Sequence, residues 1–331
     1  MKIYVFGNYM DFKCLAGNCQ TTCCSGWKIV VDREAYERFK NLENKSLRAD
    51  ILSNIVEKDD VHSFKNRTNG DCAMLDGDGL CRIQRNSNEK TLCNTCRKYP
   101  RLSFSDKDTM LLSMAASCPV IIEYLSNDKI KNMWYEMGTD KKMYPIDISG
   151  VNWFAQDKNR FDILINDIKT KYYLKSERLS ELFFDFADMA VDIIISCKDC
   201  MYFDGSFDAY EEQMQGEEFR RRYNDFTKKY GERLATFDKS YADYRIFTKK
   251  YENPDEDTYD RIYQVAGEIV MLDTIMFSLS LQKGSNYEKD IVNAVHWVYK
   301  TAVHGKVRGS KMHKKIMEMV AKGRKKYILV D

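Results

Sequence analysis

The sequence is short of proline and histidine, with four of each in 331 residues. It has no apolar run near the roughly 18 residues needed to cross a bilayer. So little proline, beside abundant Glu, Lys, Leu, Ile and Met, leaves long helices uninterrupted and predicts a mainly α protein. A formal net charge of +2 lacks the basic footprint of a nucleic-acid binder, so no nucleic-acid partner is expected. The opening residues have no basic segment leading into an apolar stretch, so no secretory signal and no membrane partner are expected. The expected location is therefore the cytoplasm, where thiols stay reduced. No glycine-rich loop follows a strand to cradle a dinucleotide. The radical-type CxxxCxxC spacing is absent too, because Cys24 follows Cys23 directly.

Cysteine, by contrast, is plentiful and unevenly placed. Of eleven, nine fall between Cys14 and Cys118, and the other two are Cys197 and Cys200. This break in composition divides the chain into a small cysteine-rich α+β metal-binding domain, 1–125, and a helical domain, 126–331. In the first, 27–31 reads as a short strand and Asp32 as the N-cap of the next segment. Tyr36, Phe39 and Leu42, then Leu47, Ile51, Leu52 and Ile55, recur at helical spacing. Residues 72–81 read as two short strands around an Asp-Gly turn. Pro119 suits the first turn of a helix through Ile121, Ile122 and Leu125.

From Phe161 onward the apolar spacing is helical. Stretches begin at Phe161, at Leu179, at Phe219 (Tyr223, Phe226, Tyr230), and at Phe237 (Tyr241, Tyr244, Phe247, Tyr251). Others begin at Ile262, ending near Gly284, at Ile291 and at Ile316. Aromatic stripes at this spacing read as core rather than as a ligand cage. The basic stretch 306–326 reads as a solvated helix face or as a guide for an acidic partner.

The cysteines run Cys14-x4-Cys19-x3-Cys23-Cys24, then Cys72-x8-Cys81-x11-Cys93-x2-Cys96, then Cys118. Scattered cysteines are ordinary buried hydrophobes, but an adjacent pair and a CxxC within one cluster are not scattered. Disulfides disagree with a reducing compartment and with an odd total. Metal binding remains, because several thiolates from separate segments can converge on one soft cation and share its charge. The candidate ligands are Cys14, Cys19, Cys23, Cys24, Cys72, Cys81, Cys93, Cys96 and Cys118. Nine thiols exceed one zinc ion or one four-iron cluster, so either two sites exist or some thiols are spare. The scarcity of histidine, with His62 the single one in this region, favours an iron–sulfur cluster, most simply 4Fe–4S, with zinc as the alternative. The second CxxC, Cys197 and Cys200, continues an apolar helical run and reads as incidental, or as a supplementary ligand.

These same residues carry a resemblance. Phe12, Cys14, Cys19, Cys23, Cys24, Gly26 and Trp27 resemble the opening signature of the flagellin lysine-N-methylase family. The blocks around Cys72, Leu75, Gly79 and Cys81, and from Leu92 through Cys93, Cys96, Tyr99, Pro100 and Arg101, resemble its middle. Ser117-Cys118-Pro119 resembles its close. The chain departs from the pattern at Ala73, Met74 and Val120, and its helical part matches loosely, with His304 the position that aligns to a recurrent histidine. The resemblance overlaps a broader class of cysteine-clustered zinc- or iron-chelating domains. It implies methyl transfer from S-adenosylmethionine to lysine side chains of flagellin as protein substrate, with an iron–sulfur cluster in the enzyme.

Such a transfer needs a neutral amine, a base, a dry site and aligned reactants. Arg97, Tyr99 and Arg101 are the candidate cofactor-binding residues beside the CxxC. The arginines could clamp a carboxylate, hydrogen-bond the sulfurs, or simply tie loops together. Tyr99, His304 or a carboxylate are candidate bases, and the catalytic residue is left unassigned. A non-catalytic iron–sulfur or zinc module, serving as an adaptor, is the alternative function.

Overall fold

The computed structural model describes residues 1–19, 21–106, 108–127, 133–173, 216–281 and 284–299. The expected helices at 179–193 and around Ile316, the Cys197/Cys200 pair, His304 and the basic stretch 306–326 lie outside them.

The described chain is mainly α, with a small α+β part in its first half and long helices after it. The first strand, β1 (Lys2–Phe6), is central in a five-stranded sheet with β4 (Arg101–Ser105), β5 (Thr109–Met114), β6 (Trp134–Met137) and β7 (Met143–Pro145). The strand order is β4-β5-β1-β6-β7, with β1 parallel to β5 and the other neighbours antiparallel. Alternation along β1 sends Tyr4 and Phe6 to the face that the helices cover. Tyr4 meets Phe247 at 5.7 Å between ring centres, and Phe6 meets Trp134 at 5.3 Å and Tyr244 at 5.5 Å.

Between β1 and β4 the chain makes a separate small unit. Its helices are α1 (Arg33–Lys40), α2 (Lys45–Ser53), α3 (Arg82–Asn86) and α4 (Asn94–Lys98). A hairpin of β2 (Ile55–Lys58) and β3 (Val61–Phe64) joins them. Both turn residues of that hairpin, Asp59 and Asp60, have positive φ, as a two-residue turn that follows strand twist requires. Ile29, Val31, Ala35, Phe39, Ile51, Phe64, Met74 and Ile83 form its own small core together with Cys72 and Cys93.

After the sheet, α5 (Pro119–Leu125) begins with Pro119 in its first turn, as expected. Then come α6 (Asn152–Tyr173), α7 (Gly216–Glu252), α8 (Thr258–Ser280) and α9 (Tyr287–Tyr299). The two helices expected at 219–230 and 237–251 are one continuous α7, since no proline interrupts the run and Gly231 is accommodated within it. Likewise α6 starts well before Phe161. Residues 27–31 pair with β3 through a single bridge, Val30 to Ser63, rather than as a full strand. Residues 72–81 close through a bridge between Leu75 and Cys81, with Gly79 at φ +80 in the turn.

The aromatic stripe of α7 is core. Phe237, Tyr241, Tyr244 and Phe247 are all essentially inaccessible. The two tyrosine hydroxyls are satisfied inside: Tyr244 donates to the Met114 carbonyl at the end of β5, and Tyr241 donates to Glu268 at 3.1 Å. Arg245, wholly buried, pairs with Glu268 at 2.8 Å and Glu252 at 3.1 Å. A buried guanidinium is tolerable with such partners, and removing one leaves the other uncompensated.

Asp243 is less well served. Burial pushes its carboxyl up to about 6 against the opposing pull of Lys158, whose Nζ lies 3.8 Å away and also pairs with Asp162. A folded-state value above the unfolded one means that the protonated form is favoured in the fold. This contribution is full below about pH 4 and is lost as pH rises through about 6. Asp243→Asn, which keeps shape without charge, should therefore stabilise the protein by on the order of 2 kcal/mol at pH 7 and by little at pH 4. Urea denaturation at the two pH values checks this, and an equal effect at both would contradict it.

Candidate metal centre

The site begins with a loop that has almost no core of its own. Among the described residues from Phe12 to Cys24 the chain is irregular apart from one 3-10 turn, Ala16–Asn18. It is held by others. Arg101 lies against the rings of Tyr9 and Phe12, at 5.7 and 5.2 Å, and its Nε donates to the Tyr9 carbonyl at 3.3 Å. Gly17 lies against the 76–80 turn, where a Cβ would stand 3.3 Å from the Asp78 carbonyl oxygen. At the far end, the Cys72 amide donates to the Cys24 carbonyl at 2.6 Å, and the Trp27 indole donates to the Cys23 carbonyl at 2.6 Å.

The remaining thiols are placed by short elements. Cys81, Cys93 and Cys118 each stand at the N-cap of a helix, α3, α4 and α5. There the first-turn amides lie towards the sulfur and favour its thiolate. Arg67 donates to the carbonyls of Ala73 and Leu75, which fixes the backbone after Cys72. Asp32 does two jobs: Oδ1 accepts from the Ala35 amide at 3.0 Å and caps α1, while Oδ2 accepts from the Asn94 amide at 2.6 Å beside Cys93. Burial alone would raise its carboxyl, but the Asn94 and Ala35 amides outweigh it and hold the group below its ordinary value.

None of the nine cysteines is in a disulfide. Cys72 and Cys118 are pushed up to about 12, mainly by burial, with neighbouring sulfurs adding to the shift. Cys81 and Cys19 are raised for the same first reason. Cys23 is raised well above the ordinary range by its hydrogen bond with Cys24, whose sulfur is 4.0 Å away, and then by burial. In the CxxC pair Cys96 keeps its proton and Cys93 is lowered, because Cys93 accepts from Cys96 and from nearby amides. Among the described residues no three His, Cys, Asp or Glu side chains close around one ion. The donor chemistry nonetheless fits a thiophilic centre. Crowded, half-buried thiols repel one another once ionised, and a soft cation among them removes that repulsion.

Of the candidate cofactor residues, Tyr99 is the one whose phenol feels the sulfurs directly. Its hydroxyl and the Ser117 hydroxyl are 2.9 Å apart. Burial, then the nearby Cys23, Cys118 and Cys19, pushes the phenol well above its usual range, so it stays protonated at neutral pH. Arg101 ties down the Cys14 loop, and Arg97 donates to Asn94 Oδ1 at 2.5 Å within α4. His62 is stacked on Tyr36 and lies 3.4 Å from Glu57.

Sequence reasoning missed His296. It is buried on α9, with Nδ1 2.8 Å from the Ser117 carbonyl and 3.4 Å from the Thr21 hydroxyl. A carbonyl can only accept, so the neutral ring carries its proton on Nδ1 and its basic lone pair on Nε2. This one side chain joins the helical core to both the residue before Cys118 and the loop of Cys19 and Cys23. Nothing in its local sequence distinguishes it from a core position of an apolar helix.

Comparison with known proteins bears on the purpose of such an arrangement. The flagellar biosynthetic protein FliU of Salmonella muenchen is 30% identical over 122 residues, 35% of this chain and 72% of that relative. The chain belongs to the flagellin lysine-N-methylase family. Lysine-N-methylases of Salmonella typhimurium (strain LT2) and Salmonella choleraesuis (strain SC-B67) are each 29% identical over 122 residues, again 35% of this chain. The match spans 30% of the length of those two methylases. No family model and no solved structure matches the chain. No helix among the described residues is long and apolar enough to cross a membrane.

Asp32→Ala should cost about 2 kcal/mol near neutral pH, since it removes a helix cap and the amide contact beside Cys93. Because the folded carboxyl is held low, this stabilisation is present above the ordinary carboxylate value near 4 and is lost as pH falls through the lower folded value. Denaturation curves of both proteins should therefore differ at pH 7 and draw together on acidification. A difference that grows with acid would refute the assignment.

Proposed function

We propose that the protein is a cytoplasmic lysine N-methyltransferase acting on flagellin, with S-adenosylmethionine as methyl donor and an iron–sulfur cluster held by its cysteines. The observation that carries this reading is the meeting of family membership with a set of nine thiols, outside any disulfide, drawn from separate segments. The relatives are named for lysine methylation and flagellar biosynthesis, and the thiols supply the donors that a soft-metal centre requires.

The chemistry asked of the chain is modest. A lysine amine attacks the sulfonium methyl carbon with its lone pair, the carbon–sulfur bond breaks, and the sulfur keeps those electrons. The amine must first be neutral, and the two partners must be aligned with water kept out. An iron–sulfur cluster, when bound, would supply a Lewis-acidic or redox-active centre. Cys14, Cys19, Cys23, Cys24, Cys72, Cys81, Cys93, Cys96 and Cys118 are the residues that would hold it. Tyr99, its phenol kept protonated, is not placed to act as the base. Arg97 and Arg101 remain the candidates for an amino-acid carboxylate, with Arg101 also occupied in fixing the Cys14 loop.

Anaerobically purified protein incubated with flagellin and methyl-labelled S-adenosylmethionine should transfer label to lysine side chains, located by peptide mass spectrometry. Cys93→Ser should reduce the transfer by about tenfold or more, roughly 1.4 kcal/mol in the barrier. Label that never appears on flagellin, from protein that is folded and metal-loaded, would reject the substrate.

A further inference from the structure

The nine thiols do not form one crowd. Five of them, Cys24, Cys72, Cys81, Cys93 and Cys96, pack on the small core around Phe39 and Ile83. Cys118 belongs instead to the large core, at the N-terminus of α5 beneath the sheet and helices. The sulfurs that bear most strongly on one another divide the same way. Cys72 is faced by Cys24, Cys81 and Cys93, and Cys96 by Cys93, Cys24 and Cys81. Cys118 is faced by Cys19 and Cys14, and Cys23 by Cys24, Cys14 and Cys118. Cys24 alone recurs in both sets.

The backbone explains the division. The Cys24 carbonyl is tied to the Cys72 amide, which draws Cys24 towards the small core. The carbonyl of its neighbour Cys23 is anchored by the Trp27 indole, and beyond Cys24 itself the Cys23 sulfur is acted on by Cys14 and Cys118, with the Tyr99 phenol near enough to feel it. The adjacent pair thus stands where the two sets meet. The two sulfurs are 4.0 Å apart, so the two groups are neighbours that touch at this dipeptide.

We propose that the protein carries two metal centres, one held by Cys14, Cys19, Cys23 and Cys118 and the other by Cys72, Cys81, Cys93 and Cys96, with Cys24 between them. Each group has the four thiolates that a four-iron cluster or a structural zinc takes. The inference rests on the cysteine-bound metal of the proposed function, but not on methyl transfer and not on which metal is bound.

The test is metal and acid-labile sulfide content per chain, measured on the anaerobically purified full chain and on Cys→Ser variants of each group. Cys14→Ser is the first variant for one group, because Cys14 is exposed and outside both cores. Cys81→Ser, half-buried, serves the other. Circular dichroism and a melting curve report whether each variant is folded, and Cys19→Ser and Cys96→Ser are the second pair if either is not. Two centres predict that each single variant loses about half the metal of the parent, and that the Cys14→Ser/Cys81→Ser double variant loses nearly all. A visible or electron paramagnetic resonance signal should survive in each single variant with a different shape. Zinc halved in the same pattern would equally support two centres while rejecting iron–sulfur chemistry. If either single change removes all the metal, or if one group's changes remove none, a single centre is present and the inference falls. Parent protein that binds no metal overturns both this inference and the cluster, whereas failed methyl transfer with intact metal counts overturns the substrate reading alone.

Discussion

The constraint on which the cysteine half of the molecule depends is the cost of ionising thiols that are both buried and crowded together. Burial pushes Cys72 and Cys118 towards the protonated thiol and neighbouring sulfurs add to the effect, while Cys93 is lowered where Cys96 and nearby amides support its anion. The fold meets this with positional ties rather than with apolar burial. Asp32 fixes α1 and α4 together, Arg67 fixes the turn after Cys72, and Arg101 fixes the loop of Cys14. These contacts gather the sulfurs without closing three of them around an ion among the described residues, and in the proposed function that last step of organisation falls to the metal.

The helical half contributes a rigid back wall. Its core extends through Phe6, Trp134 and the α7 aromatics into the sheet, so β5 and the start of α5 are set by apolar packing. That fixes Cys118, at the end of the sheet, while His296 joins the same wall to the loop of Cys19 and Cys23 through Ser117 and Thr21. The buried Arg245–Glu268 pair holds α7 to α8 behind it, and Glu252 on α7 itself adds to the compensation. Disturbance in the helical core should thus reach one thiol group, the one at Cys118, more directly than the other.

Much of the candidate site was legible in the sequence because cysteine spacing is a local signal. The Asp32 cap, the turn at Gly79 and the helix opened by Pro119 were legible for the same reason: capping and turn chemistry are written within a few residues. The parts that were not legible depend on contacts distant in sequence. β1 is not among the expected elements, and nothing near residues 2–6 says that they will pair with 109–112 and 134–136. The join of two predicted helices into α7 was hidden because a gap in the apolar pattern around Gly231 resembles a loop. His296 was missed because its partner carbonyl is 179 residues away. The division of the thiols between two cores was invisible for a similar reason, since adjacent Cys23 and Cys24 read as one motif.

The account turns on these thiols being metal ligands, and X-ray absorption at the iron edge of anaerobically purified protein tests that most directly. It predicts an iron environment of sulfur alone with a second iron nearby, lost when Cys93 and Cys118 are both replaced by serine. An iron shell of nitrogen and oxygen, or one unchanged by those replacements, would contradict it.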